Sequence, residues 1–153
     1  MMLKFTRVEQ DHPEFIRLVR FLDADLADRD GEDHGFYAQF NTLKDLHHVI
    51  LVQKNEQFVA CGALKRFDNE SMEIKRMYVM PEFRGGGLAS AILNSLEDWI
   101  LERGYKRSVL ETGKRQPEAI RLYRKNGYRQ TSNYGPYQGV ENSLCFEKRL
   151  LKP

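Results

Sequence analysis

The sequence predicts a mixed α/β fold, one sheet of about seven strands flanked by about four helices. Three observations carry that expectation. Apolar residues alternate near the N-terminus from Leu3 and Phe5, then recur at three- and four-residue steps in Phe15, Leu18, Val19, Leu22 and Leu26, so both strand and helix periods are present. The turn residues Lys54-Asn55-Glu56 and Asp68-Asn69-Glu70 separate three successive strand-like runs. The stretch from Met72 to Glu111 then reads as strand, glycine run, helix, strand.

The elements follow in order. Leu3, Phe5 and Arg7-Val8 begin a first strand, and Asp11-His12-Pro13-Glu14 supplies an N-cap and an early-helix proline for a helix running to about Ala27. From Asp28 to Asn41 there is no strong period, which predicts a loop or lid with a short helix at Phe36-Tyr37-Ala38-Gln39-Phe40. Strands at about His48 to Gln53 and Phe58 to Phe67 form an antiparallel hairpin, and a third runs from about Met72 to Met80. Leu88, Ile92, Leu96, Trp99 and Ile100 mark a helix stopped by Gly104, and Ser108 to Glu111 is the next strand. This βαβ crossover makes the strands on either side parallel neighbours. A helix with Pro117 in its first turn ends at Asn126-Gly127, and two last strands flank Asn133-Tyr134-Gly135-Pro136-Tyr137.

The 153 residues, 41% hydrophobic and 30% charged, fit one domain spanning 1–153. A chain of this size buries roughly 68–70% of the surface exposed when unfolded, so its core needs neither disulfides nor structural metal. Cys61 and Cys145 sit in apolar stretches and read as packing thiols of a reducing compartment. His12, His34, His47 and His48 have no metal-ligand spacing, which predicts no metal site. The 24 basic and 22 acidic residues give a formal charge of +2, with the basic ones in scattered pairs, so no nucleic-acid stripe is expected. The longest aliphatic run, Val49-Ile50-Leu51-Val52, is far below the roughly 20 residues of a membrane span. Charges interrupt the N-terminus before a signal-peptide core can form, and a cytoplasmic location without membrane attachment is the expectation.

Chemistry concentrates at Arg84-Gly85-Gly86-Gly87-Leu88-Ala89. Glycines between a strand and a helix leave backbone amides unshielded at the positive end of the helix dipole, an anion cradle to which Arg84 adds charge. The dinucleotide spacing fails because Ser90 stands where the third glycine belongs. The P-loop spacing fails at Gly113-Lys114, which has Ser108 five residues before and Arg115 after it.

What fits is the R/Q-x-x-G-x-G/A pyrophosphate loop of the GNAT superfamily of N-acetyltransferases, which Arg84–Ala89 resembles. Met77-Tyr78-Val79-Met80-Pro81 is similar to that family's fourth strand, and Ala119 to Tyr128 resembles its A-x-x-L-Y-x-K-x-G-F/Y helix end. The resemblance implies a mostly antiparallel GNAT sheet, acetyl-coenzyme A as cosubstrate without metal, and direct acetyl transfer to an amine. It places the cofactor on Met77, Tyr78, Val79, Arg84, Gly85, Gly86, Gly87, Leu88, Ala89, Gln116, Ala119, Tyr123 and Lys125. Gln116 stands where the family often has asparagine. Backbone amides near Met77 to Val79, on a strand that splays from its neighbour in family members, would stabilise the oxyanion. Tyr123 matches the family tyrosine that faces the sulfur and is the candidate general acid; Glu73 is the candidate base, with Glu111 its competitor. Lys114, Arg121 and Lys125 recur on one side of the last helix region, either as an ordinary solvated face or toward the cofactor's 3′-phosphate.

For the acceptor, Phe36 and Tyr37 with Phe40, and Tyr134 with Tyr137, put aromatic groups in segments that border the acceptor cleft of this family, and Glu111 is a further candidate for acceptor binding. Asp23, Asp25, Asp28, Asp30, Glu32 and Asp33 would attract a cationic acceptor, whereas Lys75 and Arg76 would anchor a carboxylate. The reading is an N-acetyltransferase of a small-molecule or amino-acid-like amine. A peptide or protein amine and a non-catalytic coenzyme A binding module are its alternatives. Some family members are dimers, so a homodimer is one assembly the resemblance allows.

Overall fold

The computed structural model describes residues 2–38 and 42–150. Among them are seven strands and four α-helices: β1 Leu3–Val8, α1 Pro13–Asp30, α2 His34–Ala38, β2 His48–Lys54, β3 Gln57–Arg66, β4 Ser71–Val79, α3 Leu88–Glu102, β5 Arg107–Gly113, α4 Pro117–Lys125, β6 Arg129–Thr131 and β7 Ser143–Arg149. The strands form one sheet in the order β1-β2-β3-β4-β5-β7-β6, a mixed α/β fold as the sequence predicts. Phe40, expected in the short second helix, lies outside the described residues.

The chain divides into two compact units, residues 1–65 with 74–96, and residues 66–73 with 97–153. In the first, β1 pairs antiparallel with β2, and β2 with β3 through a tight hairpin in which Lys54 faces Gln57. Asn55 takes φ 59°, the left-handed conformation such two-residue turns require and asparagine tolerates. Helix α1 starts where Nδ1 of His12 accepts the Glu14 N–H at 3.1 Å, satisfying an amide the helix cannot. Its apolar stripe thins out near Ala27, yet the backbone continues to Asp30 because nothing breaks it before Gly31, at φ 54°. The described part of the segment expected as loop, residues 28–38, is therefore helical.

Phe15, Leu18, Val19 and Leu22 of α1 pack with Val49 and Leu51 of β2, Cys61 and Ala63 of β3, and Tyr78 of β4. Burying each large side chain of that stripe contributes about 1.5–3 kcal/mol. At β3, Gly62 admits α3 closely: a Cβ there would meet Leu96 Cδ1 at 2.9 Å and Ile92 Cγ2 at 3.0 Å. The apolar α3 positions read from the sequence, Leu88, Ile92, Leu96, Trp99 and Ile100, are all buried.

In the second unit, Ser71–Glu73 of β4 run parallel to Arg107–Val109 of β5, as the crossover rule requires. β5 pairs antiparallel with β7 along its whole length, and β6 adds three residues on the far side of β7. A buried polar chain ties this unit together. The Tyr128 hydroxyl donates to Glu97 Oε2 at 2.9 Å, so Ser108 Oγ, 2.7 Å away, must donate to the phenol oxygen. Lys148 Nζ reaches the other Glu97 oxygen at 2.8 Å.

Candidate active site

In the first unit, the candidate cofactor loop is the turn between β4 and α3. Pro81–Phe83 make a single 3-10 turn, and the glycine run then leads into Leu88. Gly85 and Gly87 have φ 86° and 84°, a region that side-chain-bearing residues avoid, whereas Gly86 lies outside it. A Cβ on any of the three would meet no atom within 4 Å, so packing does not demand glycine there. The first helical bond runs from Ala91 N to Gly87 O at 3.1 Å, and by helix geometry the amides of the opening turn have no acceptor within the helix. A bare, open loop at the head of a 15-residue helix is what a pyrophosphate needs. These residues fit the phosphate end of acetyl-coenzyme A. Leu88 is buried beneath the loop and Ala89 half-buried.

Arg84 folds back on its own strand: Nε donates to the Val79 carbonyl at 2.7 Å, and the guanidinium lies 5.4 Å from the centre of the Tyr78 ring. Tyr78 is buried, which pushes its phenol upward despite the nearby Arg84 charge. Met77 is half-buried beside it. One residue earlier, Arg76 takes φ 58°, a left-handed conformation within a strand and costly for a non-glycine residue. Its carbonyl accepts from Cys61 Sγ at 3.4 Å, and its buried guanidinium pairs with Asp23 of α1 while Nε finds no partner. No sequence signal announces this conformation.

That pair, with Asp25 bound to Arg29 at 3.4 Å and Asp30 buried, gives three members of the acidic run local tasks. Tyr37 is buried in α2 and meets Phe36 edge-on with centroids 5.2 Å apart.

Besides the Tyr128–Glu97 pair, the second unit holds two carboxylate–phenol neighbourhoods. Glu73, 6% exposed, sits at the end of the parallel β4–β5 pairing, opposite Val109. The Tyr134 hydroxyl donates to its Oε2 at 2.6 Å. Burial first, and the Glu73 charge next, raise the Tyr134 phenol well above its ordinary value, so it stays a donor. Its ring is held edge-on against Phe67 at 4.7 Å and Tyr137 at 5.9 Å. Asn133 Nδ2 braces the same loop against the carbonyls of Tyr137, Val140 and Ser143 at 3.0–3.1 Å. Phe67 and Asn133 were not among the sequence candidates. Asparagine in a glycine–proline loop is the one local hint at such a brace.

Glu111, on β5, belongs with Tyr123 instead. Tyr123 is buried against Tyr128 and Phe146, with centroids 5.9 and 6.3 Å away, and burial together with the Glu111 charge raises its phenol. Gln116 caps α4 with its backbone, accepting from Ala119 N and Ile120 N at 3.1 Å, and its side chain makes no cap bond. Ala119 is half-buried, and Lys114, Arg121 and Lys125 are exposed. Among the described residues no cluster of histidine, cysteine or carboxylate side chains has the makings of a metal site, and no helix is long and apolar enough to cross a membrane.

Residues 13–128 match the acetyltransferase (GNAT) family. The chain is 33% identical to the IAA acetyltransferase of Azospirillum brasilense over 144 residues, covering 88% of this chain and 90% of that one. Among solved structures, a Klebsiella pneumoniae protein described as an acyl-CoA N-acyltransferase superposes with TM-score 0.83 at 30% identity, covering 98% of this chain and 99% of that one. A GNAT acetyltransferase from Elizabethkingia anophelis with acetyl-CoA bound shares the fold, at TM-score 0.72 and 22% identity over 97% of this chain and 98% of that one.

Proposed function

The chain belongs to the GNAT acetyltransferase family, and from that premise we propose that it uses acetyl-coenzyme A to acetylate the primary amine of a small, amino-acid-like molecule. The observation that carries the cofactor is the loop Arg84–Ala89, open at every glycine and heading α3. When bound, the cofactor supplies a thioester, an acetyl donor activated for attack by a neutral amine. The glycine-loop amides hold its pyrophosphate, and the backbone from Met77 to Val79 orients the acetyl group. Glu73 accepts the proton the amine must lose. Tyr123, kept protonated by burial and the Glu111 charge, would serve as proton donor to the coenzyme thiolate. Lys125 supplies charge toward the phosphate end.

Support for a small acceptor comes from the A. brasilense relative, which is named for IAA rather than for a protein. The half-buried ring of Phe36 adds apolar surface suited to such a molecule. The test is coenzyme A thiol release from acetyl-coenzyme A across a panel of amino acids, arylamines, polyamines and lysine peptides. Turnover on small amines is expected. Turnover confined to peptides would overturn the acceptor reading, and failure of saturating acetyl-coenzyme A to raise the melting temperature would overturn the cofactor reading.

A further inference from the structure

We infer that Tyr134 is a positioning residue for Glu73: its hydroxyl, 2.6 Å from Oε2, holds that carboxylate in the orientation from which it takes the amine proton. The inference rests on Glu73 being the base, as proposed above. It reassigns Tyr134 from the acceptor wall to the second partner in a proton-accepting pair.

The physical case starts with the carboxylate. A glutamate side chain has three rotatable bonds, and at the end of a short strand pairing nothing in the backbone selects one arrangement. Glu73 is nevertheless 6% exposed, so its charge must be met by donors. The phenol is a well-chosen one. Its hydrogen bond to a carboxylate is charge-assisted and short.

The donor is itself immobilised. Phe67 and Tyr137 hold the ring edge-on from two directions, and Asn133 fixes the loop through three carbonyls, Tyr137, Val140 and Ser143. A base accepts efficiently only when its reacting atom is held within a fraction of an ångström. Glu73 gains that restraint from a residue 61 positions away.

The test uses the full chain with three variants, Tyr134→Phe, Glu73→Gln and the double substitution, in steady-state thiol-release kinetics. Tyr134→Phe keeps the ring and removes only the hydroxyl. We expect kcat to fall about tenfold, as for loss of an outer partner of a reacting group, with KM for amine and for acetyl-coenzyme A unchanged. In the Glu73→Gln background the same change should alter kcat less than about twofold, because the group it positions is gone. A raised amine KM with unchanged kcat would return Tyr134 to the acceptor wall and overturn the inference. Equal losses in both backgrounds would overturn it too, since Tyr134 would then act without Glu73. If Glu73→Gln alone keeps wild-type kcat, the base assignment itself fails, an outcome distinct from the other two. Should Tyr134→Phe prove poorly folded by melting temperature, Glu73→Asp keeps the phenol and withdraws the carboxylate by one methylene. It should lower kcat with KM unchanged, and wild-type kcat there would also refute the pairing.

Discussion

Gly86 and Gly87 are neighbours with equal space around them but different backbones, and alanine at each separates folding from ligand binding. Gly87 has φ 84°, and an added Cβ meets nothing within 4 Å, so Gly87→Ala carries a purely conformational cost. That cost is about 1–2 kcal/mol. For a chain of 153 residues each kcal/mol moves the melting temperature by about 2–4 °C, giving a fall of about 2–8 °C. Gly86 lies outside the positive-φ region and is equally unobstructed. Alanine there narrows the unfolded ensemble and should be neutral or stabilising by up to about 1 kcal/mol. The assay is thermal unfolding with and without acetyl-coenzyme A. At a hundredfold over its dissociation constant the ligand adds about 2.7 kcal/mol to wild type, a rise of about 5–10 °C. A methyl group at Gly86 stands in open space on the proposed cradle and should shrink that rise while leaving the ligand-free melt intact. Two results would refute this reasoning: Gly87→Ala melting like wild type, or Gly86→Ala keeping the full ligand-induced rise.

Three further outcomes are expected. Gly62→Ala forces a Cβ to 2.9–3.0 Å from Leu96, Ile92 and Met77, so it should destabilise by about 1–3 kcal/mol through overpacking, read by denaturant unfolding. Tyr128→Phe removes the donor to Glu97 and the acceptor of Ser108, and a loss of about 1–3 kcal/mol is expected in the same measurement. Burial pushes the Cys61 thiol from 9.0 up to about 12, so a thiol reagent at pH 8 should label it only after unfolding. The unfolded chain loses that proton first, hence stability should fall as pH rises from 9.0 toward about 12, and Cys61→Ala should flatten that decline.

Much of the fold was legible because its causes are local. The α1 stripe, the asparagine turn at Asn55, the Pro117 helix start and the glycine run each depend on residues within a few positions of one another. The parallel β4–β5 pairing followed from the strand–helix–strand crossover between them. The end of α1 was misplaced because fading apolar periodicity marks where a helix leaves the core, whereas Gly31 is what stops its backbone.

By itself, then, the sequence determined the fold class, the family and the glycine loop that we propose as the phosphate cradle, all written in contiguous segments. Only the tertiary structure decided which carboxylate meets which phenol. Glu73 and Tyr134 are 61 residues apart, Tyr128 and Glu97 are 31 apart, and Arg76 reaches Asp23 across 53. No periodicity encodes such distances. They are set by which elements pack together, α1 against β4 for Asp23 and Arg76, and the loop after β6 against β4 for Tyr134 and Glu73.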